Sequence, residues 1–398
     1  MISKQMKEFV ANGSAIRAMF EEGKEMAAIY GAENVCDFSL GNPNLPPPDM
    51  VKEAIIQILD QEDPTDLHGY MSNSGFLDVR EQIAQSINRK YNTSFSNENI
   101  IMTVGAAGGL NVVFKTLLDP GDQVMAFAPY FGEYKNYSIS HNADFAVVPA
   151  SIPSFQPNLP EFERMLSPTT KIVMLNTPNN PTGVVYTEET IAGLAEILYR
   201  KQEEFGTDIY LVSDEPYREL VYGNIEVPYV TKYYDNTIVV DSYSKSLSLP
   251  GERIGYLVIP DAAADSGMIL AAANIATRLL GYVNAPSLMQ KTVAKCLDAR
   301  VDIEYYDRNR QALYNGLTSM GYECTYPDGA FYLWVRSPIE DDGEFVKMAK
   351  KYQILLVPGT FFGCPGYARI AYCVLPGTIE VALPKFQALM EEIKKKTL

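Results

Sequence analysis

From residue 50 onward, short apolar runs alternate with longer amphipathic stretches. Five runs each end abruptly in a polar or turn-forming segment; they read IIMTV, QVMAF, KIVML, IYLV and TIVV. Runs of this length, rich in β-branched residues, are typical of buried strands, and the intervening stretches have helical periodicity. The pattern therefore predicts an α/β fold with a mainly parallel sheet.

The two ends of the chain have a different pattern. Residues 1–35 predict a helical arm that ends at Gly31, followed by a proline-rich segment, DFSLGNPNLPPPDM, that cannot be helical. After Leu280, a long helical stretch leads into strands and helices around Pro-Gly turns, which predicts a smaller α+β domain. We expect three parts, namely an N-terminal arm with part of the small domain (1–46), a large domain (47–287) and the rest of the small domain (288–398).

One residue that could take part in ligand binding or catalysis follows the end of each predicted strand. In chain order these residues are Gly105, Phe131, Asn180, Asp214 and Lys245. Because open α/β sheets bind ligands outside the carboxyl ends of their strands, we expect the five residues to meet at one rim.

Residues 238–256 carry the most informative chemistry. Lys245 follows an apolar strand, with Ser242 and Ser244 before it and Arg253 after it. Desolvation or a nearby cation lowers the pKa of a lysine and makes it a nucleophile, while hydroxyls and a guanidinium are suited to hold a phosphate. A lysine that forms a Schiff base beside a phosphate anchor predicts pyridoxal phosphate.

The same segment allows another interpretation. Residues 242–245 read SYSK and match the Ser-x-x-Lys pattern of penicillin-binding proteins. That family also needs Lys-Thr-Gly and Ser-Asp-Asn, and neither tripeptide occurs in the sequence.

Each of the other rim residues has a functional and a structural interpretation. The small-residue turn VGAAGGL lets its amides approach a phosphate, but tight helix packing also favours small residues. Asp214 could keep a pyridine nitrogen protonated, or it could be an ordinary loop acid. Asn180 and Tyr217 could bind a phenolic oxygen, although NPTG is also a turn sequence. Phe131 could stack on a planar ring or pack in the core, and Arg369 could clamp a carboxylate or face solvent.

Composition excludes several classes of function. The formal net charge of −16 opposes a nucleic-acid groove, and no apolar run is long enough to span a bilayer. The N-terminus has no secretory hydrophobic region, so we expect a cytoplasmic location. Five scattered cysteines and two distant histidines predict no protein-ligated metal.

Over nearly its whole length the sequence resembles the class I/II aminotransferases, pyridoxal-phosphate enzymes of fold type I that include aspartate aminotransferase. The motifs that carry the resemblance occur in order as SLGNP, HGY, VGAAGGL, APYF, NNPTG, SDEPY, SYSKSLSLPGERIGY and PGTFFG with YARI. The resemblance implies a seven-stranded, mainly parallel sheet in a large domain that binds pyridoxal phosphate, with a smaller α+β domain.

The resemblance also implies roles for individual residues. Lys245 would form the Schiff base and shuttle the substrate proton, Asp214 would pair with the ring nitrogen, and Asn180 and Tyr217 would bind the ring oxygen. Phe131 would stack on the ring. The phosphate would be held by Gly105, Ala106, Ala107, Ser242, Ser244 and Arg253.

Further roles follow for the substrate and for the assembly. Arg369, with the Gly41 amide and Asn180, would clamp the substrate α-carboxylate. Tyr70 would reach the phosphate in the neighbouring subunit, which implies a homodimer. Arg278 is a candidate, by rough position, for reading a side-chain carboxylate.

The expected activity is transfer of an amino group from an amino acid to a 2-oxo acid. Two alternatives remain. One is a lyase on the same site, either a C–S β-lyase or a decarboxylase. The other is a ligand-sensing domain without activity, for which the N-terminal arm is too short to supply a DNA-binding module. Phe131 departs from the Trp that aspartate aminotransferases often carry, and the substrate pair is not predicted.

Overall fold

The computed structural model describes residues 2–11 and 15–397. The strands of this part are β1 Cys36–Asp37, β2 Ile100–Thr103, β3 Gln123–Phe127, β4 Asp144–Val148, β5 Thr170–Asn176, β6 Tyr210–Asp214, β7 Thr237–Ser242, β8 Gly255–Val258, β9 Cys324–Thr325, β10 Tyr332–Arg336, β11 Ile354–Leu355, β12 Val357–Pro358 and β13 Tyr367–Ala371.

The helices of the same part vary from four to 22 residues. They are α1 Lys4–Ala11, α2 Ala15–Tyr30, α3 Asp49–Gln61, α4 Pro64–His68, α5 Leu77–Tyr91, α6 Gly105–Leu117, α7 Glu133–Ser140, α8 Leu159–Met165, α9 Glu188–Phe205, α10 Tyr243–Ser246, α11 Ser266–Leu279, α12 Ser287–Lys295, α13 Ile303–Ser319, α14 Asp342–Lys351 and α15 Pro376–Thr397.

Seven strands form the large sheet, in the order β2-β8-β7-β6-β5-β3-β4. All neighbours are parallel except at β8, which is antiparallel to both β7 and β2. The predicted fold class, a mainly parallel seven-stranded α/β sheet, is confirmed.

Apolar side chains point alternately to the two faces of the central strands, and both faces of this sheet are buried. In β7, Ile238 and Val240 belong to the same buried cluster as Leu110 of α6, while Val239 faces the other way and belongs to the cluster that contains Ile83 of α5. Successive side chains of a strand point to opposite faces, so an uninterrupted apolar run produces a sheet covered by helices on both sides. The carboxyl ends of β5, β6 and β7 therefore open to one edge.

A second, antiparallel sheet has the order β12-β13-β10-β9. In it, Trp334 of β10 is paired with Arg369 of β13. A short parallel pair, β1 with β11, joins the N-terminal segment to this C-terminal region. The pairing brings the loop that follows β1 towards the edge of the large sheet.

Some predicted elements differ from those observed. The N-terminal arm is two helices, α1 and α2, and the second ends at Tyr30. Two strands, β4 and β8, were not among the five apolar runs, because β4 begins with an exposed Asp144 and β8 is a four-residue strand that begins with a glycine. Among the described residues, every helix is too short or too polar to cross a membrane.

Candidate active site

A cavity of about 250 Å³ opens at the carboxyl ends of β5, β6 and β7. It is lined by residues from both sheets and from the loop after β1. Of the residues predicted for the site, those that line it are Gly41, Ala106, Ala107, Phe131, Asn180, Asp214, Tyr217, Ser242, Ser244, Lys245, Arg253 and Arg369.

Lys245 lies in α10, directly after β7. Its Nζ donates a hydrogen bond to the carbonyl oxygen of Gly41 at 2.6 Å. Burial lowers the pKa of Lys245 to about 8, and the nearby charges of Arg369 and Arg253 act in the same direction. The lowered pKa increases the neutral, nucleophilic fraction of this amine near neutral pH.

Asp214 ends β6 and has one oxygen in use. The hydroxyl of Tyr134 donates to its Oδ2 at 2.6 Å, and its Oδ1 is buried with no hydrogen-bond partner among the described residues. Burial raises the pKa of Asp214 to about 7, against the hydrogen bond from Tyr134. A cationic N–H in the cavity would satisfy Oδ1 and favour the ionised carboxylate.

Arg369 is buried, with only 2% of its surface exposed, so the solvent-facing alternative is wrong. Its Nη1 donates to Asn180 Oδ1 at 2.9 Å and its Nη2 to the Ser39 carbonyl at 2.5 Å. Its Nε has no partner in the described part of the chain. This guanidinium can therefore donate to an anion, and a carboxylate has the right geometry to accept from it.

Asn176, at the end of β5, positions two of these groups. Its Nδ2 donates to the backbone carbonyl of Asp214 at 2.8 Å, and its Oδ1 accepts from the backbone amide of Asn180 at 2.7 Å. Sequence reasoning did not select Asn176. Asp214 was selected because it is the polar residue at the end of an apolar strand. The same criterion would have found Asn176, because it is the polar residue that ends β5.

The turn between β2 and α6 lies against Arg253. Gly105 has φ of +77°, and a Cβ at this position would lie 2.5 Å from Arg253 Nη2. Gly105 itself does not line the cavity, but the two alanines after it do. The first turn of a helix has unpaired backbone N–H groups, so α6 and Arg253 together form a cradle suited to a phosphate.

The residues present fit pyridoxal phosphate. A buried carboxylate oxygen without a partner suits the ring nitrogen, a lysine with a lowered pKa suits the carbonyl carbon, and the α6 cradle suits the phosphate. Phe131 lines the cavity and provides an aromatic face. Within residues 2–11 and 15–397, no three His, Cys, Asp or Glu side chains are placed to hold a metal ion.

Two predicted residues lie elsewhere in this chain. Tyr70 is 97% exposed and does not line the cavity. Arg278 is exposed in the last turn of α11 and is also outside the lining. Conversely, the lining includes Tyr332, which no sequence motif singled out.

Comparisons with known proteins agree with the geometry. Residues 33–386 match the model of the family described as aminotransferase class I and II. An aspartate aminotransferase of Thermotoga maritima is 28% identical over 390 residues, which cover 97% of this chain and 98% of that protein. A Thermus aquaticus protein named a probable aspartate/prephenate aminotransferase is 32% identical over 365 residues, which cover 88% and 90% of the two chains.

Solved structures are similar over the same extent. An amino transferase from Eubacterium rectale has a TM-score of 0.96 and 45% identity, covering 98% of this chain and 99% of that one. The aspartate aminotransferase from Thermus thermophilus with maleate has a TM-score of 0.86 and 27% identity, with the same coverage. The predicted cofactor and reaction class are confirmed. The chain belongs to the class I and II aminotransferases, and it is a pyridoxal-phosphate-dependent aminotransferase.

Proposed function

We propose that this enzyme moves an amino group from an amino acid to a 2-oxo acid and that Lys245 is its covalent and proton-transferring residue. One observation carries the proposal. The Lys245 amine, with its lowered pKa, lines the same cavity as Asp214 and Arg369. Asp214 and Arg369 each have one buried polar atom that has no hydrogen-bond partner among the described residues. These three groups supply a base, a counter-charge and a carboxylate clamp.

Each residue has a defined task in this mechanism. Arg369, with Asn180 and the Gly41 amide, holds the substrate α-carboxylate and so fixes the orientation of Cα. Bound pyridoxal phosphate supplies an electron sink that stabilises negative charge at Cα. Asp214 would keep the ring nitrogen protonated, and Lys245 would remove the Cα proton as a neutral amine and deliver it to the C4′ carbon of the cofactor.

The substrate class follows from the relatives only in part. The relatives include proteins named for aspartate, for aspartate and prephenate, for aromatic amino acids and for N-acetyl-LL-diaminopimelate. In this chain the cations that line the cavity are Lys245, Arg253 and Arg369, and each already has a proposed task. Arg278 lies outside this lining, so recognition of a side-chain carboxylate by Arg278 stays a prediction.

Replacement of Lys245 tests the proposal. With pyridoxal phosphate, a panel of amino acids and 2-oxoglutarate, Lys245→Ala should lose turnover by about 100-fold to 10,000-fold, the usual contribution of a general base. Lys295→Ala, which changes an exposed lysine of α12, is the matched control and should retain activity. Turnover in Lys245→Ala at the level of the control would contradict the assignment. Release of pyruvate and ammonia from cysteine-type substrates, without an acceptor, would favour the lyase alternative.

We also propose that the enzyme is a homodimer in which Tyr70 completes the site of the partner. Tyr70 is almost fully exposed, and α11 presents Met268, Ile275 and Leu279 to solvent on one face, at 72%, 52% and 68% exposure. Large apolar side chains grouped on one helix face are typical of a protein interface. A second copy of the chain would cover them.

The division into an N-terminal arm, a large domain and a small domain is also a proposal, and so is the cytoplasmic location. Pairing of β1 with β11 supports placing residues 1–46 with the small domain, and the large sheet lies wholly within 47–287. All five cysteines are free, which supports a reducing compartment such as the cytoplasm.

A further inference from the structure

Tyr332 joins the two sheets at the cavity. It begins β10 in the four-stranded sheet, it lines the cavity, and only 2% of it is exposed. Its hydroxyl oxygen lies 2.7 Å from the hydroxyl oxygen of Tyr217, which follows β6 of the large sheet. The contact links residues 115 positions apart in the chain.

The ring of Tyr332 contacts the carboxylate side of the site. The guanidinium carbon of Arg369 lies 4.6 Å from the ring centroid, within the range of a cation–π interaction. A Cβ on Gly41 would overlap the Tyr332 hydroxyl, so this hydroxyl fills the space beside Gly41. Tyr332 thus contacts the groups assigned to the substrate carboxylate as well as the group assigned to the cofactor oxygen.

The hydroxyls of Tyr217 and Tyr332 each carry one proton that can be donated. Burial raises the pKa of Tyr332 to about 12 and that of Tyr217 well above its usual value, so both phenols stay protonated near neutral pH. If Tyr217 donates its proton to the cofactor's phenolic oxygen, its own oxygen is free to accept from Tyr332. Hydrogen bonds in such a chain strengthen one another.

We propose that Tyr332 is a positioning residue that directs the Tyr217 proton towards the phenolic oxygen of pyridoxal phosphate. The inference rests on the proposed role of Tyr217 in cofactor binding. Because the ring of Tyr332 also lies against Arg369, the same side chain holds the carboxylate clamp and the oxygen-binding hydroxyl in a fixed relation.

Tyr332→Phe removes the hydroxyl and keeps the ring beneath Arg369. In the holoenzyme, the pH midpoint of the visible absorbance of bound pyridoxal phosphate should rise by roughly 0.5 to 1 pH unit, because negative charge on the phenolic oxygen is less stabilised. The value of kcat should fall about threefold to tenfold with little change in KM. An increase in KM alone, with an unchanged midpoint, would overturn the inference, because it would place the hydroxyl on the substrate.

A double-mutant cycle with Tyr217→Phe separates orientation from packing. In the Tyr217→Phe background, Tyr332→Phe should leave the midpoint unchanged, because no hydroxyl remains to be oriented. Equal shifts in both backgrounds would contradict the proposal. Tyr372→Phe is the matched control: Tyr372 is also fully buried, its hydroxyl lies 3.2 Å from that of Tyr222, and it does not line the cavity. It should not move the midpoint.

A second replacement protects the test against loss of folding. Replacing Tyr332 by 3-fluorotyrosine keeps the hydroxyl and makes it a stronger donor, so the midpoint should shift downwards. A wild-type protein that shows no cofactor absorbance and no amino transfer would refute the proposed function instead. The wild type and Tyr217→Phe could both show cofactor absorbance, with amino transfer by the wild type, while neither Tyr332 variant shifts the midpoint. That result would refute this inference alone.

Discussion

A carboxylate buried without a cation destabilises the protein until its cofactor binds, and Asp214 is such a group. Its pKa in the folded chain is raised to about 7, whereas an unfolded Asp titrates near 3.9. Because the folded pKa lies above the unfolded one, the cost is fully present above about pH 7. The cost shrinks as the pH falls towards the unfolded value.

Asp214→Asn should therefore stabilise the cofactor-free protein while it impairs catalysis. We expect the free energy of unfolding at pH 8 to rise by about 2–4 kcal/mol, and the gain to decline towards zero near pH 4. Urea unfolding of both proteins at several pH values measures this difference. Asp241, whose pKa is also raised to about 7, is common to both, so it cancels in the comparison. A gain independent of pH would contradict the explanation.

At the scale of one element, the turn from β2 into α6 combines backbone strain with a ligand cradle. Gly105 has a positive φ and lies against Arg253. Gly206, which follows α9, has φ of +65°, but a Cβ at this position would meet no atom of the described residues within 4 Å. The two glycines have similar backbone requirements and different surroundings. They form a matched pair for separating strain from binding.

Gly105→Ala and Gly206→Ala should both lose about 1 kcal/mol of stability, because an L residue is strained at positive φ. Only Gly105→Ala should weaken binding of pyridoxal phosphate, by about tenfold or more, because its methyl group displaces the Arg253 guanidinium. Thermal unfolding and equilibrium dialysis give the two quantities. Equal cofactor affinity in the two variants would exclude the turn from the phosphate site.

At the scale of the whole molecule, the proposed site is complete only in a dimer. Each site would contain Lys245 of one chain and Tyr70 of the other. Mixed dimers of Lys245→Ala and Tyr70→Ala subunits would therefore contain one native site and one doubly altered site.

Each variant alone should have low activity. An equimolar, exchanged mixture should recover about one quarter of wild-type activity, because about half of all dimers are hybrids and each hybrid has one native site of two. The mixture is compared with each variant exchanged against itself. Failure to recover activity, with subunit exchange verified by mass spectrometry, would place Tyr70 outside the partner's site.

Much of the fold and the site follows from local sequence. Apolar runs located β2, β3, β5, β6 and β7, because a strand buried on both faces has little freedom in composition. The polar residues after those strands include Asp214 and Lys245, because chain direction in a parallel sheet carries all strand ends to one edge. These properties depend on residues adjacent in sequence.

Other features depend on contacts between distant parts of the chain. Tyr134 lies 80 residues from Asp214, and Arg369 lies 189 residues from Asn180, yet these pairs are hydrogen-bonded. Tyr332 had no motif to mark it, and Arg369 had two interpretations until its burial was known. The apolar pattern was enough to specify five of the seven strands and the reactive edge of the large sheet. The choice of which side chains meet there, and which polar atoms stay unpaired, came only with tertiary packing, because hydrogen bonding and desolvation depend on neighbours that the linear chain does not reveal.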